Sequence, residues 1–345
     1  MAKQAVLLVN LGSPDSTSTR DVRSYLEEFL SDDRVLDRPK LMQQFVLKCF
    51  ILPKRPKQSA RAYRKIWRPE GSPLMVISAR VQALLQDRIS APVHLAMRYG
   101  RPSIPDTITE IVDGGIEELL LVPLYPHYAM SSYETVVARV QEVAWEKSPD
   151  LRITTLQPFF DHPAYIEALY QSAQPHLELG YDHLLFSYHG LPVRHLRRAD
   201  SSRHHCTMVK DCCATCSPAH ATCYKAQCIR TTEAFVRRAR IARENWSISF
   251  QSRLVGEPWL EPFTDHELKR FGKSGMQRLL VITPAFVSDC LETLEEIAMT
   301  GRDSFIEAGG GEFAHIPCMN DHPEWVRFLE DQVNEWMGRS IPTAS

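Results

Sequence analysis

The stretch that decides the fold is Leu184-Leu185-Phe186-Ser187-Tyr188-His189-Gly190-Leu191-Pro192. An apolar run of strand length ends here in a polar triplet and is broken at once by Gly-Leu-Pro, which predicts a buried parallel strand. In open α/β sheets, ligands bind just beyond the carboxyl ends of the strands. The strand therefore carries His189 to the place where chemistry is expected.

A second stretch has the same design and adds acidic residues. It reads Leu279-Leu280-Val281-Ile282-Thr283-Pro284-Ala285-Phe286, followed by Ser288-Asp289-Cys290-Leu291-Glu292-Thr293-Leu294-Glu295-Glu296. We expect another buried strand and then a helix capped by Ser288 or Asp289. Glu292, Glu295 and Glu296 stand at i, i+3 and i+4, so their carboxylates should share one helix face. An imidazole opposite carboxylates suits a divalent cation or proton transfer, whereas acyl transfer is not indicated because no nucleophile elbow is present.

Strand and helix patterns alternate along the rest of the chain. In order, they are predicted at 5–10, 19–30, 41–52, 93–99, 104–113, 118–123, 166–177, 183–188, 247–252, 278–283 and 323–336. This alternation predicts an α/β fold with parallel, doubly wound sheets. The turn at Gly12 is interpreted as a plain strand-to-helix turn rather than a phosphate cradle, since one glycine is weak evidence.

Composition and charge exclude several classes of protein. The chain has 345 residues, of which 44% are hydrophobic and 24% charged, enough for one large domain or two ordinary ones with a full core. A net charge of −2 argues against a nucleic-acid-binding protein. No apolar run approaches the roughly 20 residues of a membrane helix, and the amino terminus has no signal-peptide pattern. We therefore expect a cytoplasmic protein.

The cysteines are unevenly distributed. Six of the nine fall between residues 206 and 228, beside His204 and His205. In a reducing compartment, such crowding indicates metal binding rather than disulfides. Four thiolates suit either structural zinc or a [2Fe–2S] cluster, and the spacing alone does not choose between them.

Both quoted stretches resemble the signature motifs of ferrochelatase, the enzyme that inserts ferrous iron into a porphyrin. Further segments similar to that family's motifs are Leu7-Leu8-Val9-Asn10-Leu11-Gly12-Ser13-Pro14-Asp15, Gly71-Ser72-Pro73-Leu74, Tyr125-Pro126-His127-Tyr128, Phe250-Gln251-Ser252-Arg253 and Glu257-Pro258-Trp259-Leu260. The resemblance runs from about residue 5 to residue 335, with one insertion near 202–223. It implies two Rossmann-like (class II chelatase-like) halves, each a parallel sheet flanked by helices, with a porphyrin cleft between them. The implied domains are 1–160, closed by a helix at 323–338, and 161–322.

Within this resemblance, His189, Glu292 and Glu296 take the catalytic positions. The matching histidine of ferrochelatases is implicated in binding the metal, in removing pyrrole protons, or in both, and neutral imidazole is a natural proton receiver. Mutual repulsion of the two glutamates would raise their pKa values and suit a relay, and His189 with Glu292 is the predicted site for the substrate iron. The structural alternatives are a core histidine and an ordinary solvated helix face. Cys290 replaces a histidine of many relatives and is given no essential role.

The resemblance also implies which residues contact the porphyrin. The positions that match the family's pocket wall are Leu11, Tyr63, Ser72, Tyr128, Trp259 and Phe286. Lys54 and Arg55 match positions that meet the porphyrin propionates, which need cations nearby. They follow segment 41–52, which is either a surface helix with a basic end or the lip of the porphyrin cleft. The resemblance implies the lip, through which a peripheral membrane contact is predicted.

The cofactor prediction rests on the insertion. Against relatives that lack it, Cys228 aligns with an ordinary family cysteine. The predicted cluster ligands are then Cys206, Cys213, Cys216 and Cys223, with Cys212 competing with its neighbour. Some bacterial ferrochelatases hold a [2Fe–2S] cluster in this region, so the cluster is the predicted cofactor and zinc the alternative. Because the loop is rich in His, Ser and Thr, we expect it to gain its order from metal–thiolate bonds.

The predicted function is the insertion of ferrous iron into protoporphyrin IX, which makes these two molecules the predicted partners. Asn10-Leu11-Gly12-Ser13-Pro14 resembles the protoporphyrin branch of the family, since the coproporphyrin branch usually has Tyr in that turn. The alternatives are a coproporphyrin ferrochelatase or other tetrapyrrole chelatase, and a non-catalytic haem or iron–sulfur sensor. The number of subunits is left open.

Overall fold

Two four-stranded parallel sheets organise the chain in a computed structural model that describes residues 2–254 and 256–339. The strands of the first sheet are β1 (Gln4–Asn10), β2 (Val93–Met97), β3 (Glu118–Pro123) and β4 (Arg152–Thr155). Their order is β2-β1-β3-β4, and every pair is parallel. The central strand β1 is buried from Ala5 to Asn10, as expected for a parallel sheet covered on both faces.

Helices follow the strands of this sheet. They are α1 (Thr19–Leu30), α2 (Lys40–Val46), α3 (Arg55–Ile66), α4 (Pro73–Gln86), α5 (Ile104–Asp113) and α6 (Thr135–Lys147). Segment Leu47–Ile51 continues α2 as a π-helical turn, and Met130–Glu134 precedes α6 as another. Serine side chains start α1 and α5, where Ser18 and Ser103 accept from the main-chain amides of Asp21 and Asp106.

The second sheet repeats the topology of the first. Its strands are β5 (His183–His189), β6 (Trp246–Gln251), β7 (Arg278–Ile282) and β8 (Glu312–His315). They are ordered β6-β5-β7-β8 and are again all parallel. The strand that carries His189 is therefore central in its sheet, as β1 is in the other.

The helices that follow β4 along the chain are α7 (Pro163–Leu177), α8 (Val193–Ala199), α9 (Tyr224–Ala239), α10 (Thr264–Lys273), α11 (Arg302–Glu307) and α12 (Pro323–Arg339). Between β7 and α11 lies a ten-residue π-helix, Glu292–Gly301. Short 3₁₀ turns occupy Pro218–Ala221 and Arg243–Asn245. Long π-helices are rare and often mark functional sites.

The chain divides into two units. The first comprises Met1–Leu124, Met130–Gln157 and Trp325–Ser345, as far as these are described, and the second comprises Tyr125–Ala129 and Pro158–Glu324. In the second unit, one apolar cluster packs β5 and β7 against α10, the π-helix and α11; its buried members are Leu185, Leu268, Phe271, Leu279, Val281, Ile297 and Phe305. The domain boundaries expected from the sequence, at 160 and 322, remain predictions.

Gly12 shows why the first turn after β1 needs glycine. Its φ is +104°, and a Cβ built on it would lie 1.8 Å from the main-chain oxygen of Tyr99. A side chain there would both strain the backbone and overlap the neighbouring loop. Steric constraint thus accounts for this glycine without a phosphate, in line with the plain-turn interpretation.

Candidate active site

His189 is the last residue of β5, and the chain turns away immediately after it. The amide of Gly190 donates to the main-chain oxygen of Gln251 at 2.6 Å. A Cβ on Gly190 would approach that oxygen to 2.8 Å, so only glycine allows the two strand ends to lie this close. The Gly-Leu-Pro break therefore fixes the place where the imidazole leaves the sheet.

A hydrogen bond to the main chain orients the ring of His189. Nδ1 lies 2.7 Å from the main-chain oxygen of Gly190. Because a carbonyl oxygen only accepts, Nδ1 carries the proton in the neutral ring and Nε2 keeps its lone pair. The ring centroid lies 6.3 Å from that of Phe286, in an edge-on arrangement. His189 can thus receive a proton, or bind a metal ion, through Nε2.

The acidic residues lie on the π-helix. The sequence analysis expected a helix capped by Ser288 or Asp289, and this is wrong: the helix is entered from Leu291, and no side chain caps it. Asp289 instead accepts from the Thr293 hydroxyl and the Cys318 amide, and from the Asn320 side chain at 2.7 Å. A carboxylate with these partners anchors the start of the helix to the loop after β8 rather than capping it.

The three glutamates have different environments. Glu296 accepts from the Ser252 hydroxyl at 2.5 Å, in a part-buried setting beside β6. Glu295 accepts from the Thr300 hydroxyl at 3.4 Å in an exposed setting. Glu292 and His189 both act electrostatically on Glu296. Glu296 therefore lies close enough to interact with both the imidazole and Glu292. That all three glutamates share one face of the helix stays a prediction.

Opposing effects act on the carboxyl group of Glu296. Burial raises its pKa above the usual range, and the negative charge of Glu292 raises it further. The Ser252 hydrogen bond and the nearby imidazole of His189 work in the opposite direction. Cys290, which precedes this pair, is a buried thiol whose pKa is raised by burial, so it remains protonated.

The aromatic candidates of the second unit are placed as follows. Trp259 faces the turn after His189: its main chain bridges Pro192, and its ring lies 3.4 Å from the position of a Cβ on Gly190. The indole N–H of Trp259 is buried without an acceptor among the described residues. The main-chain amide of Tyr128 donates to Gln227. Trp259 and Phe286 therefore both adjoin the His189 turn.

The other candidates lie in the first unit. Leu11 follows β1, and its main-chain oxygen accepts from Tyr99 at 2.9 Å. Tyr63 is a buried residue of α3, in edge-on contact with Trp67. Ser72 is buried at the start of α4, whereas Lys54 and Arg55 are exposed at the start of α3. Contact of these residues with a porphyrin remains a prediction.

Segment 41–52 has apolar side chains on its exposed side. The large side chains that point outward are Leu41, Met42, Phe45 and Phe50, with exposed fractions of 90, 53, 56 and 63%. Lys40 and Lys48 lie within the same two turns, and Lys54 and Arg55 follow. We call residues 40–55 the lip. Within 2–254 and 256–339, no helix combines the length and the apolar character needed to span a bilayer.

The cysteine-rich segment is held by its own hydrogen bonds. The carboxylate of Asp200 accepts from the main-chain amides of Ser202, His205 and Cys206. The imidazoles of His205 and His220 both lie within 2.9 Å of the main-chain oxygen of Cys212. These hydrogen bonds fix part of the loop, and the expectation that metal–thiolate bonds supply its order stays a prediction.

Four of its thiols line one cavity of 420 Å³. They belong to Cys206, Cys212, Cys213 and Cys223, and Trp259 lines the same cavity. Cys213 and Cys206 both hydrogen-bond the sulfur of Cys223. The bond from Cys213 is the main cause that lowers the pKa of Cys223 to about 6. Cys216 is exposed.

These donors suit a thiolate-bound group in their chemistry. Among the described residues, however, no three His, Cys, Asp or Glu side chains already stand in an arrangement that would hold a metal ion. Three of the four predicted ligands adjoin one another, and the fourth, Cys216, lies apart from the cavity lining.

Comparison with known proteins identifies the family. The ferrochelatase family model matches residues 3–337. This chain belongs to the ferrochelatase family. It is 55% identical over 343 residues to a ferrochelatase of Opitutus terrae, with 99% of each chain covered. It is 50% identical to a ferrochelatase of Stutzerimonas stutzeri, covering 95% of this chain and 97% of the relative.

Solved structures agree at the level of the fold. The chain superposes on SirB from Bacillus subtilis with Fe³⁺ with a TM-score of 0.54 at 13% identity, covering 96% of this chain and 95% of that one. A sirohydrochlorin chelatase SirB from Bacillus subtilis subspecies spizizenii, in complex with cobalt, gives 0.53 at 13% identity, covering 98 and 97%. The predicted α/β fold with two class II chelatase-like sheets is thereby confirmed.

Family membership establishes the general activity. The protein is a metal-inserting chelatase of haem biosynthesis, whose substrates are ferrous iron and a porphyrin. Two residues beside the candidate site received no role from the sequence: Gln251, which ends β6, and Ser252, which bonds Glu296. The available signal was a polar pair directly after a strand next to β5, within a motif already quoted.

Proposed function

We propose that this ferrochelatase uses protoporphyrin IX and yields protohaem, with His189 as its base. The supporting observation is the orientation of the imidazole, whose Nδ1–H is bonded to Gly190 and whose Nε2 keeps its lone pair. A neutral imidazole fixed in this tautomer receives a proton without first losing one. The reaction belongs to the lyase class.

The proton balance assigns the remaining roles. Ferrous iron replaces two pyrrole N–H protons, so two protons leave the macrocycle for each ion inserted. His189 Nε2 takes the first pyrrole proton and passes it to Glu296, whose pKa is raised by burial, and the neutral imidazole then takes the second. Glu292 stands with His189 as the site at which the substrate iron approaches. The raised pKa suits a relay, since it makes the carboxyl group a better proton acceptor than an ordinary glutamate.

Selection of protoporphyrin is attributed to the turn after β1. Leu11 occupies the turn in which the coproporphyrin branch of the family usually carries Tyr. Leu11, Tyr63, Ser72, Tyr128, Trp259 and Phe286 are the proposed wall of the porphyrin site, with Lys54 and Arg55 for the propionates. An apolar residue in the turn favours the vinyl substituents of protoporphyrin over additional propionates.

A metal-insertion assay tests the proposal. Purified protein would be given ferrous iron with protoporphyrin IX or with coproporphyrin III under anaerobic conditions, and the loss of porphyrin fluorescence followed. We expect kcat/KM to be higher for protoporphyrin. A higher kcat/KM for coproporphyrin would contradict the substrate proposal, and porphyrin binding without any turnover would favour the non-catalytic sensor.

We also propose that the cysteine-rich segment binds a [2Fe–2S] cluster. Cys206 and Cys213 are each hydrogen-bonded to Cys223. Cys216 is the proposed fourth ligand, with Cys212 as the competitor of its neighbour Cys213. The thiolate character of Cys223 suits iron or zinc, since thiolates and not thiols bind metal ions. When bound, the cluster would supply cross-links that hold the insertion together.

The lip is the proposed membrane contact, and the cytoplasm the proposed compartment. Its four outward apolar side chains are flanked by lysines, a combination that favours the surface of an anionic bilayer. The nine cysteines are free in the structure, and cysteine crowding without disulfides is typical of a reducing compartment.

A further inference from the structure

A buried chain of polar side chains runs beneath the ends of β5 and β6. Its members are Ser249, Thr264, Ser187 and Gln251, all almost fully buried. The hydroxyl oxygens of Ser249 and Thr264 lie 2.8 Å apart, as do those of Thr264 and Ser187. Ser187 donates to Gln251 Oε1 at 2.7 Å. Buried polar groups are costly unless fully bonded, so such a chain requires an explanation.

The donor in each of these hydrogen bonds follows from the bond at the Gln251 end of the series. Gln251 Nε2 donates to the main-chain oxygen of Glu292 at 3.4 Å. Because that oxygen only accepts, the amide must turn its own oxygen toward Ser187. Ser187 uses its single proton there, so Thr264 donates to Ser187 and Ser249 donates to Thr264. All donors point toward Glu292, and each bond polarises the next.

Gln251 is also bonded to the His189 side of the candidate site. It is the register partner of His189 in the pairing of β5 with β6. Its main-chain oxygen accepts from Gly190 at 2.6 Å, directly after the imidazole. One residue therefore bonds the main chain at Gly190 and at Glu292, on both sides of the proposed catalytic group.

We propose that Gln251 is a positioning residue that sets the separation between His189 and the Glu292–Glu296 pair. This inference rests on the proposed function of those three residues and adds the element that holds them in place. An amide is required, because the side chain must accept from a hydroxyl and donate to a carbonyl at the same time. A carboxylate of the same shape fulfils only the first requirement.

The test uses this difference between amide and carboxylate. In Gln251→Glu, an ionised carboxylate would face the Glu292 oxygen and repel it, whereas the protonated acid would donate to it as the amide does. The titratable groups beside the new carboxyl are His189, Glu292 and Glu296, so rates are expressed relative to the parent protein at each pH. We expect a loss of about ten- to a hundredfold in kcat at pH 8 that largely recovers at pH 6, with porphyrin Kd unchanged.

A matched control is the same substitution at Gln82. Its Nε2 also donates to a main-chain oxygen, that of Val93 at 2.8 Å, in the first unit. Gln82→Glu should keep the parent rate at both pH values. Ser187→Ala, which removes the hydroxyl that orients the amide, should lower kcat by a factor independent of pH.

The outcomes separate this proposal from the function on which it rests. If His189→Ala is inactive but Gln251→Glu follows the parent at every pH, the positioning role is wrong and the catalytic assignment stands. If His189→Ala keeps its turnover, the proposed function fails first. Should Gln251→Glu not fold, as judged by circular dichroism, an unchanged kcat in Ser187→Ala would overturn the proposal.

Discussion

The Ser252 hydroxyl donates to Glu296 at 2.5 Å from a left-handed backbone position, with φ of +60°. For a residue other than glycine, this conformation costs roughly 1–2 kcal/mol. The same hydrogen bond is the main influence that lowers the pKa of Glu296 against the effect of burial. Ser252 thus has a strained backbone and also lowers the pKa of Glu296.

Removing this hydroxyl should separate stability from activity. Ser252→Gly relieves the strained backbone, whereas Ser252→Ala keeps it. The free energy of unfolding measured in urea should therefore be about 1 kcal/mol higher for the glycine variant than for the alanine variant. Both variants lose the bond that lowers the pKa of Glu296. The acidic limb of the kcat–pH profile should therefore move to higher pH in both. An unmoved limb would mean that Glu296 does not govern turnover.

His189→Ala should fold and bind porphyrin but lose metal insertion. A positioned base is normally worth roughly 10²–10⁴-fold in rate, and iron-dependent loss of porphyrin fluorescence measures it. His176→Ala, on α7, serves as the histidine control and should keep the parent rate. Turnover of His189→Ala above about a tenth of the parent would contradict the assignment, because a loss of less than about tenfold is smaller than the contribution of a positioned base.

The glutamates should differ in both activity and stability. Glu292→Gln and Glu296→Gln should reduce kcat by about 10²-fold with little change in porphyrin Kd, while Glu295→Gln should matter least. A carboxyl group with a raised folded-state pKa stabilises the fold below its unfolded pKa and loses that contribution as pH rises through the folded value. Glu296→Gln should therefore gain stability over the parent as pH rises.

Urea unfolding at pH 5 and at pH 8 measures this difference, with Glu295→Gln as the control. The gain of Glu296→Gln should be larger at pH 8. If Glu296→Gln were destabilised equally at pH 5 and at pH 8, Glu296 would act as a carboxylate that stabilises the fold and not as a group that exchanges a proton in this range. Greater sensitivity of kcat at Glu295 than at its neighbours would contradict the proposed arrangement of the helix.

The cysteine variants should divide by colour. Aerobically purified protein should show visible charge-transfer absorption, and Cys213→Ser and Cys216→Ser should each bleach it. Cys228→Ser and Cys290→Ser should retain this absorption, since both residues are buried and neither of them lines the cavity. Bleaching by Cys212→Ser with Cys216→Ser still coloured would make Cys212 the fourth ligand. A colourless protein with one equivalent of zinc would replace the cluster with structural zinc.

The lip should bind anionic vesicles. Phe45→Ser combined with Phe50→Ser should reduce co-sedimentation with vesicles of phosphatidylglycerol and phosphatidylcholine, because two large side chains no longer enter the interface. Trp145→Ser is the matched control, since Trp145 is 71% exposed on α6, outside the lip. Binding should weaken as salt is raised. Equal sedimentation of both variants would exclude the lip as the contact.

The sequence was sufficient for the central strands of both sheets and for the strand end that carries His189. Long apolar runs identified the central strands, and the spacing from Thr19 to Leu30 matched α1 at both ends. The edge strands β4 and β8 were missed because they are short and half-exposed, and so lack a continuous apolar run.

Features that depend on tertiary contacts were not accessible in this way. Asp289 anchors the helix start instead of capping it, because Thr293, Cys318 and Asn320, up to 31 positions away, donate to its carboxylate. The π-helical form of Glu292–Gly301 also had no signature in the sequence. The left-handed Ser252 has no local signature, because glycine is the usual residue there. The hydrogen bonds that Asp200, His205 and His220 form in the cysteine-rich segment likewise had no signature in the sequence.

The placement of α12 has a consequence for biosynthesis. Trp325, Val326, Phe328, Leu329 and Val333 of this helix are buried, and they belong to the first unit. The ribosome makes α12 only after the whole of the second unit, although domains otherwise tend to fold in the order of synthesis. Until α12 has been made, the first unit therefore lacks these five side chains of its core. In the nascent chain, the unit whose synthesis begins first is thus the last to have all of its core residues.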